Sequence, residues 1–177
     1  IDCPSSGGGP FSMAVSRDAI AYVIYTSGHL MELDLKDLSC RPTAYEPRFE
    51  GEPFHVFGMG YAADPASPTG ETMYVADIDF DFGATSAGLA RIDDESFELS
   101  LVGPFSENPS GVIELTGAGG DGPPHGYFLN GDLPGGTLVT LDRDTAEVTA
   151  PVSLDPGGFG SLAIAWWGGD FYVFKGS

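Results

Sequence analysis

Residues 138–174 read LVTLDRDTAEVTAPVSLDPGGFGSLAIAWWGGDFYVF. Two strand–turn–strand units stand side by side in this stretch. The first runs LVTLD, a polar turn RDTAE, then VTAPVSL. The second runs SLAIAWW, the tight turn Gly168-Gly169-Asp170, then FYVF. Two glycines between apolar, aromatic-rich runs supply the positive backbone angles that a short hairpin turn needs.

The same pattern recurs along the whole chain. Four segments share a small-apolar strand, a turn and a closing aspartate: FSMAVSRD at 11–18, FGMGYAAD at 57–64, ELTGAGGD at 114–121 and AIAWWGGD at 163–170. A second strand carrying a tyrosine follows each: AYVIY at 21–25, MYVA at 73–76, GYFL at 126–129 and FYVF at 171–174. Three units continue with a third strand ending in aspartate: HLMELD, LARID and TLVTLD. Fourth strands follow at 38–45, 97–103 and 146–154. The closing aspartates Asp18, Asp64, Asp121 and Asp170 stand 46, 57 and 49 residues apart.

A period near 50 with four strands per unit is the sequence form of a β-propeller blade. We therefore expect an all-β chain of four-stranded antiparallel blades, about three and a half of them. The expected layout is a tether at 1–10, blades at about 11–52, 53–109 and 110–159, and a partial blade at 160–177. A β-sandwich also alternates strands, but it rarely reproduces one residue framework four times. The Leu141 to Val148 form, LDRDTAEV, resembles the outer-strand turn of bacterial propellers of the WD40, NHL and YVTN kind. Segments such as FGMG and WGGDFY are also similar to secreted propeller proteins of myxobacteria. The resemblance covers about residues 11–174 and implies the fold. It brings no activity with it, because such folds host many functions.

Composition agrees with the repeat. The chain has 177 residues, 26 Gly and 14 Pro, enough for one substantial core with frequent turns. No apolar run approaches the ~20 residues a helix needs to cross a bilayer. Acidic residues outnumber basic ones 26 to 7, a net charge of −19. Such a surface repels phosphate backbones and anionic membrane surfaces, which argues against both as partners.

Ile1 is not a methionine, so the chain starts after processing or trimming, as removal of a signal peptide would leave it. Residues 1–10, IDCPSSGGGP, read as a tether. Cys3 and Cys40 are the only cysteines. A bridge between them would pin that tether to the outer strand of the first blade. It would also place the protein in an oxidising compartment: secreted, periplasmic or at the cell surface. Two unpaired thiols, or pairing with a cysteine outside this sequence, are the alternatives.

Chemistry-bearing residues are sparse. The run Asp77-Ile78-Asp79-Phe80-Asp81-Phe82-Gly83 places Asp77, Asp79 and Asp81 on one face of an extended chain. Three like charges in a row call for solvent or a cation, and calcium accepts such oxygen sets. The glycine spacing does not match an EF-hand. The two readings are a looser calcium site and a solvated acidic strand end. Glu114 is the one inner-strand acid expected to face an axial channel. His29, His55 and His125 fall at different points of the repeat and do not converge. His29 is expected on a solvated turn and His55 in a strand. Trp166 and Trp167 are adjacent and so point to opposite faces; packing between blades is their expected use. Asp121-Gly-Pro-Pro-His125 is a turn in which a cis peptide is conceivable.

Two functions follow. One is a non-catalytic secreted or cell-surface propeller that binds a partner or builds an assembly. The other is a metal-dependent hydrolase. Propeller lactonases place acids, Asn and His around a central metal, and here calcium would be held by the aspartate row. The last unit ends after two strands, leaving an unpaired edge. Further polypeptide is the favoured explanation. A partner chain donating strands and edge-to-edge association of identical copies are the others.

Overall fold

A computed structural model describes residue 3 and residues 7–78, 86–106, 111–129, 136–154 and 162–175. Every regular element among them is a β-strand. The first sheet holds β1 (Pro10–Val15), β2 (Ile20–Tyr25), β3 (Leu30–Asp34) and β4 (Cys40–Pro42). The second holds β5 (Phe57–Ala63), β6 (Glu71–Asp77), β7 (Leu89–Ile92) and β8 (Leu99–Gly103). The third holds β9 (Ile113–Gly117), β10 (Pro124–Leu129), β11 (Gly136–Leu141) and β12 (Val148–Leu154). β13 (Leu162–Trp167) and β14 (Asp170–Lys175) pair as a two-stranded fourth sheet. Strand order follows chain order in every sheet, and neighbouring strands are antiparallel.

These are propeller blades. The first strand of each sheet packs on the first strand of the next, β1 on β5, β5 on β9 and β9 on β13. That series forms the hub. Glycine is what lets β5 approach β9 so closely: a Cβ at Gly58 would overlap the Ile113 carbonyl oxygen, and one at Gly117 would overlap that of Tyr61. Two apolar clusters fill the gaps between sheets. Tyr22, Ile24 and Leu30 of the first sheet meet Phe57, Met59 and Met73 of the second. Tyr74, Ala76 and Leu89 of the second meet Ile113, Leu115 and Phe128 of the third. Met13 and Val15 on the far face of the first sheet, and Trp167 and Phe174 on that of the fourth, are exposed.

One turn is built three times between third and fourth strands. The carbonyls of Asp34, Asp93 and Asp142 accept from the N–H groups of Leu38, Phe97 and Ala146. Each aspartate N–H donates back across the turn, to Ser39, Glu98 and Glu147. Leu38, Phe97 and Ala146 all adopt the left-handed conformation, with φ of 63°, 58° and 61°. The aspartate side chains take the free amides: Asp93 Oδ1 accepts from Ser96 N at 2.7 Å, and Asp142 Oδ1 from Thr145 N at 2.9 Å. This is local Asx chemistry replacing the glycine such a turn ordinarily uses.

Cys3 and Cys40 form a disulfide, so the segment before β1 is fastened to the outermost strand of the first sheet. Asp18, Asp64 and Asp121 fall at the turn between first and second strands of their sheets, and Asp170 opens the second strand of its own. Asp64 alone is buried there. His55 lies in a bend before β5 rather than in a strand, held there as its Nδ1 contacts the Arg48 carbonyl at 2.6 Å. His29 is half-buried and contacts Ser27 Oγ. Among the described residues no peptide bond is cis, including those of Pro123 and Pro124.

Candidate functional site

Glu114 sits on the hub strand β9 and is nearly fully buried. Its side chain lies on the opposite face from Ile113 and Leu115, which pack on the second sheet. Ser12 of β1 donates its hydroxyl to Glu114 Oε2 at 2.8 Å. Burial pushes the Glu114 carboxyl up to about 8, against which the Ser12 bond pulls weakly. The hub therefore holds a carboxylic acid that is mostly neutral at pH 7.

Asp77, at the end of β6, is also buried. Its Oδ1 accepts from Phe54 N at 2.6 Å and its Oδ2 from Ala87 N at 2.7 Å. The Asp77 carbonyl accepts from the Ser86 hydroxyl at 2.9 Å. Asp77 thus fastens the link entering β5, where Phe54 has a φ of 59°, to the segment leading into β7. Asp79 and Asp81 lie outside the described residues. Among the described residues, no group of three or more His, Cys, Asp or Glu side chains is placed to hold a metal ion.

A cleft of about 410 Å³ opens beside Asp64, Thr72, Arg91 and Asp94 on the second sheet. Its charged groups serve the scaffold. Asp64 accepts from Ala66 N and the Thr72 hydroxyl. Burial raises its pKa, but those bonds and the nearby arginines outweigh it and hold the carboxyl low. Asp94 accepts the Tyr61 hydroxyl at 2.7 Å, and its pKa is raised, chiefly by burial. Arg91 pairs with Asp144 at 2.6 Å and lies over the Tyr74 ring. Arg91 and Arg143 also reach neighbouring backbone: the Arg143 guanidinium donates to the Ala63 carbonyl. These arginine contacts fasten the second sheet to the third.

The fourth sheet differs from this pattern. Pairing places Ala163 opposite Phe174, Ala165 opposite Tyr172 and Trp167 opposite Asp170. Trp167, Tyr172 and Phe174 thereby share one face, and they are 73%, 41% and 58% exposed. Trp167 and Tyr172 have ring centroids 6.5 Å apart. The opposite face is turned inward: the Trp166 ring lies against Gly119, and the Phe171 ring is tilted against that of His125 with centroids 4.9 Å apart. His125 is partly buried, which lowers its pKa. Packing between blades therefore holds for Trp166, while Trp167 faces outward.

Sequence reasoning singled out Glu114 but not Ser12, and it read the tyrosine of each second strand without its consequence. That tyrosine is buried in three sheets, as Tyr22, Tyr74 and Tyr127, and exposed in the fourth as Tyr172. The recurrence in the sequence was the available signal; the difference in cover was not.

No family model matches this sequence, and no curated protein matches it. Among solved structures, a chain of Kuenenia stuttgartiensis hydrazine synthase aligns with a TM-score of 0.46 at 12% identity. The alignment covers 89% of this chain and 53% of that one, so this chain spans about half the length of that structure.

Proposed function

We propose that this chain is a non-catalytic binding or assembly module of the β-propeller kind, working outside the cytoplasm or at the cell surface. The observation that carries it is the outward face of the fourth sheet, where Trp167, Tyr172 and Phe174 lie together and exposed. Contiguous large aromatics are costly to leave in water and mark surfaces that meet another surface. The Cys3–Cys40 bridge supports an oxidising compartment. Among the described residues no helix is long and apolar enough to cross a membrane. The likeness of the repeat to secreted bacterial propellers supports the same setting.

No observation favours the calcium-dependent hydrolase. Burial and the Ser12 hydroxyl account for the state of Glu114, with no charged neighbour contributing. Acid–base chemistry at a hub acid calls for a second group within hydrogen-bond reach of a substrate.

Two measurements test the reading together. Nile red, a neutral dye, suits an acidic protein as a reporter of apolar surface. At sub-micromolar protein we expect its fluorescence to rise, and Trp167→Ser with Phe174→Ser to remove more than half of that rise. Lactone and ester substrates are expected to show no turnover above the buffer rate, with or without calcium. Turnover that a chelator abolishes, or a dye signal indifferent to those substitutions, would overturn the proposal.

A further inference from the structure

The hub is held unevenly. Between β5 and β9 the backbones interlock: a Cβ at Gly58, Gly60 or Gly117 would overlap backbone atoms of the facing strand. No glycine approach of that kind joins β1 to β9 among the described residues. These two strands meet where the Ser12 hydroxyl donates to the Glu114 carboxyl. Neither residue belongs to the two apolar clusters that hold neighbouring sheets together. β1 is also irregular at this point, its register against β2 shifting between Pro10 and Ser12. The strand that carries the donor is thus the one able to move, and β9 is the fixed one.

Glu114 has no basic side chain in hydrogen-bond reach among the described residues. On its own face of the third sheet, Tyr127 stands directly opposite and His125 two residues along, the imidazole kept neutral at pH 7 by burial. β1 and β13 carry no titratable side chain, and the Tyr61 hydroxyl of β5 is given to Asp94. On β6, Tyr74 lies on the other side of β9, Glu71 pairs with Arg17, and Asp77 is taken up by backbone amides. One hydroxyl replaces little of the water that a carboxylate loses on burial. A charge on Glu114 is relieved only when water reaches it. The way in that leaves both apolar clusters packed is between β1 and β9.

We propose that the Ser12–Glu114 contact is a pH-governed joint: loss of the Glu114 proton to solvent parts β1 from β9 and admits water to the hub, with all four sheets still folded. Acid closes the joint and alkali opens it. The opening is a local event, distinct from unfolding of the chain.

β1 pairs only with β2 and β9 only with β10, so alternate amides of each strand lie on the hub edge and report its opening. The test is residue-resolved amide hydrogen exchange from pH 6 to pH 9, each rate compared with its intrinsic value at that pH, in wild type and Glu114→Gln. In wild type, protection of the hub-edge amides in 11–15 and 113–117 is expected to fall about tenfold or more as pH rises, while 73–76 in the second sheet keep theirs. In Glu114→Gln all of these stay level. Glu114→Leu, which fills the space and cannot titrate, repeats the comparison if the glutamine variant fails to fold, and far-UV circular dichroism checks both. Carbon-13 NMR of labelled glutamate carboxyls adds a readout in the wild type itself: the Glu114 titration must coincide in pH with the loss of protection. Level protection in wild type, a fall spread evenly over all strands, or a Glu114 titration displaced from the fall would overturn the joint. The same fall in wild type and variant would overturn it too, by placing the titration at another group such as His125 or Tyr127.

Discussion

The Ser12 hydroxyl on β1 donates to the Glu114 carboxyl on β9 over 2.8 Å, although 102 residues separate them in the chain. The bond joins the first sheet to the third through the hub, past the intervening second sheet. The acid it holds is buried, and desolvation disfavours its ionisation even though the Ser12 bond favours it.

The pH dependence of stability follows. The Glu114 carboxyl ionises near 4.5 in an unfolded chain and near 8 in the folded one. Between those values the native state keeps a proton that the unfolded chain has released. Stability must therefore fall as pH rises through this window, by roughly 1.4 kcal/mol per pH unit at the steepest. Glu114→Gln keeps an acceptor for Ser12 and removes the titration. In urea unfolding from pH 4 to 9, wild type and variant should converge at the acid end and diverge toward the alkaline end, the variant becoming the more stable. Parallel profiles would show that Glu114 does not titrate in this range.

Asp77 supports a second prediction. Two backbone amides, Phe54 N and Ala87 N, donate to its two oxygens. Asp77→Asn keeps the shape but turns an NH₂ group toward one of those donors. Losing a charge-assisted bond and burying an unmatched donor costs about 2–3 kcal/mol. For a chain of this size that is a fall in Tm of about 5–10 °C. Thermal melts with millimolar calcium and with EDTA separate a structural role from a ligand role. The structural role predicts that chelation leaves the wild-type Tm where it was. A wild type that drops to the level of the variant on chelation would make Asp77 a calcium ligand.

The architecture was legible where its causes are local. An aspartate closing the third strand, a polar turn and a tyrosine in the second strand are chemistry within a few residues, and they recur. Tertiary uses were not legible. The row from Asp77 to Asp81 reads as parallel carboxylates, but the partners of Asp77 lie 23 and 10 residues away. Nothing in the run itself names them. Glu114 stood out as a hub acid, yet Ser12 is an ordinary serine until the sheets stack. Trp167 and Trp166 differ in exposure because one faces a neighbouring sheet and the other faces none, a property of the assembly and not of the dipeptide.

The Cys3–Cys40 bridge closes a loop across the first sheet, with the two cysteines 37 residues apart. In the chain-entropy account, a loop of that length stabilises the fold by roughly 3–4 kcal/mol by restricting the unfolded chain. Reducing the wild type should lower its unfolding free energy by that amount, and its midpoint with it. Cys3→Ser with Cys40→Ser should start at the lowered midpoint and not respond to reductant. A double variant as stable as the oxidised wild type would mean that the first sheet needs no fastening.

The thrice-built turn supplies the last prediction, because it can be improved. Leu38, Phe97 and Ala146 hold a left-handed backbone that costs a residue with a Cβ about 1–2 kcal/mol. Phe97 packs against the first core cluster and Ala146 lies within the second, so trimming either loses buried surface. Leu38 is 54% exposed, which leaves little burial to lose. Leu38→Gly should therefore raise stability by about 1 kcal/mol, after the entropy that glycine adds to the unfolded chain is subtracted. Leu35, in the same turn and 41% exposed, has no positive φ. Leu35→Gly should do the reverse. Opposite signs for these two neighbouring substitutions in a urea titration would establish that the Asp34 turn is strained at one residue; equal losses would mean that its left-handed position is no more costly than its neighbours.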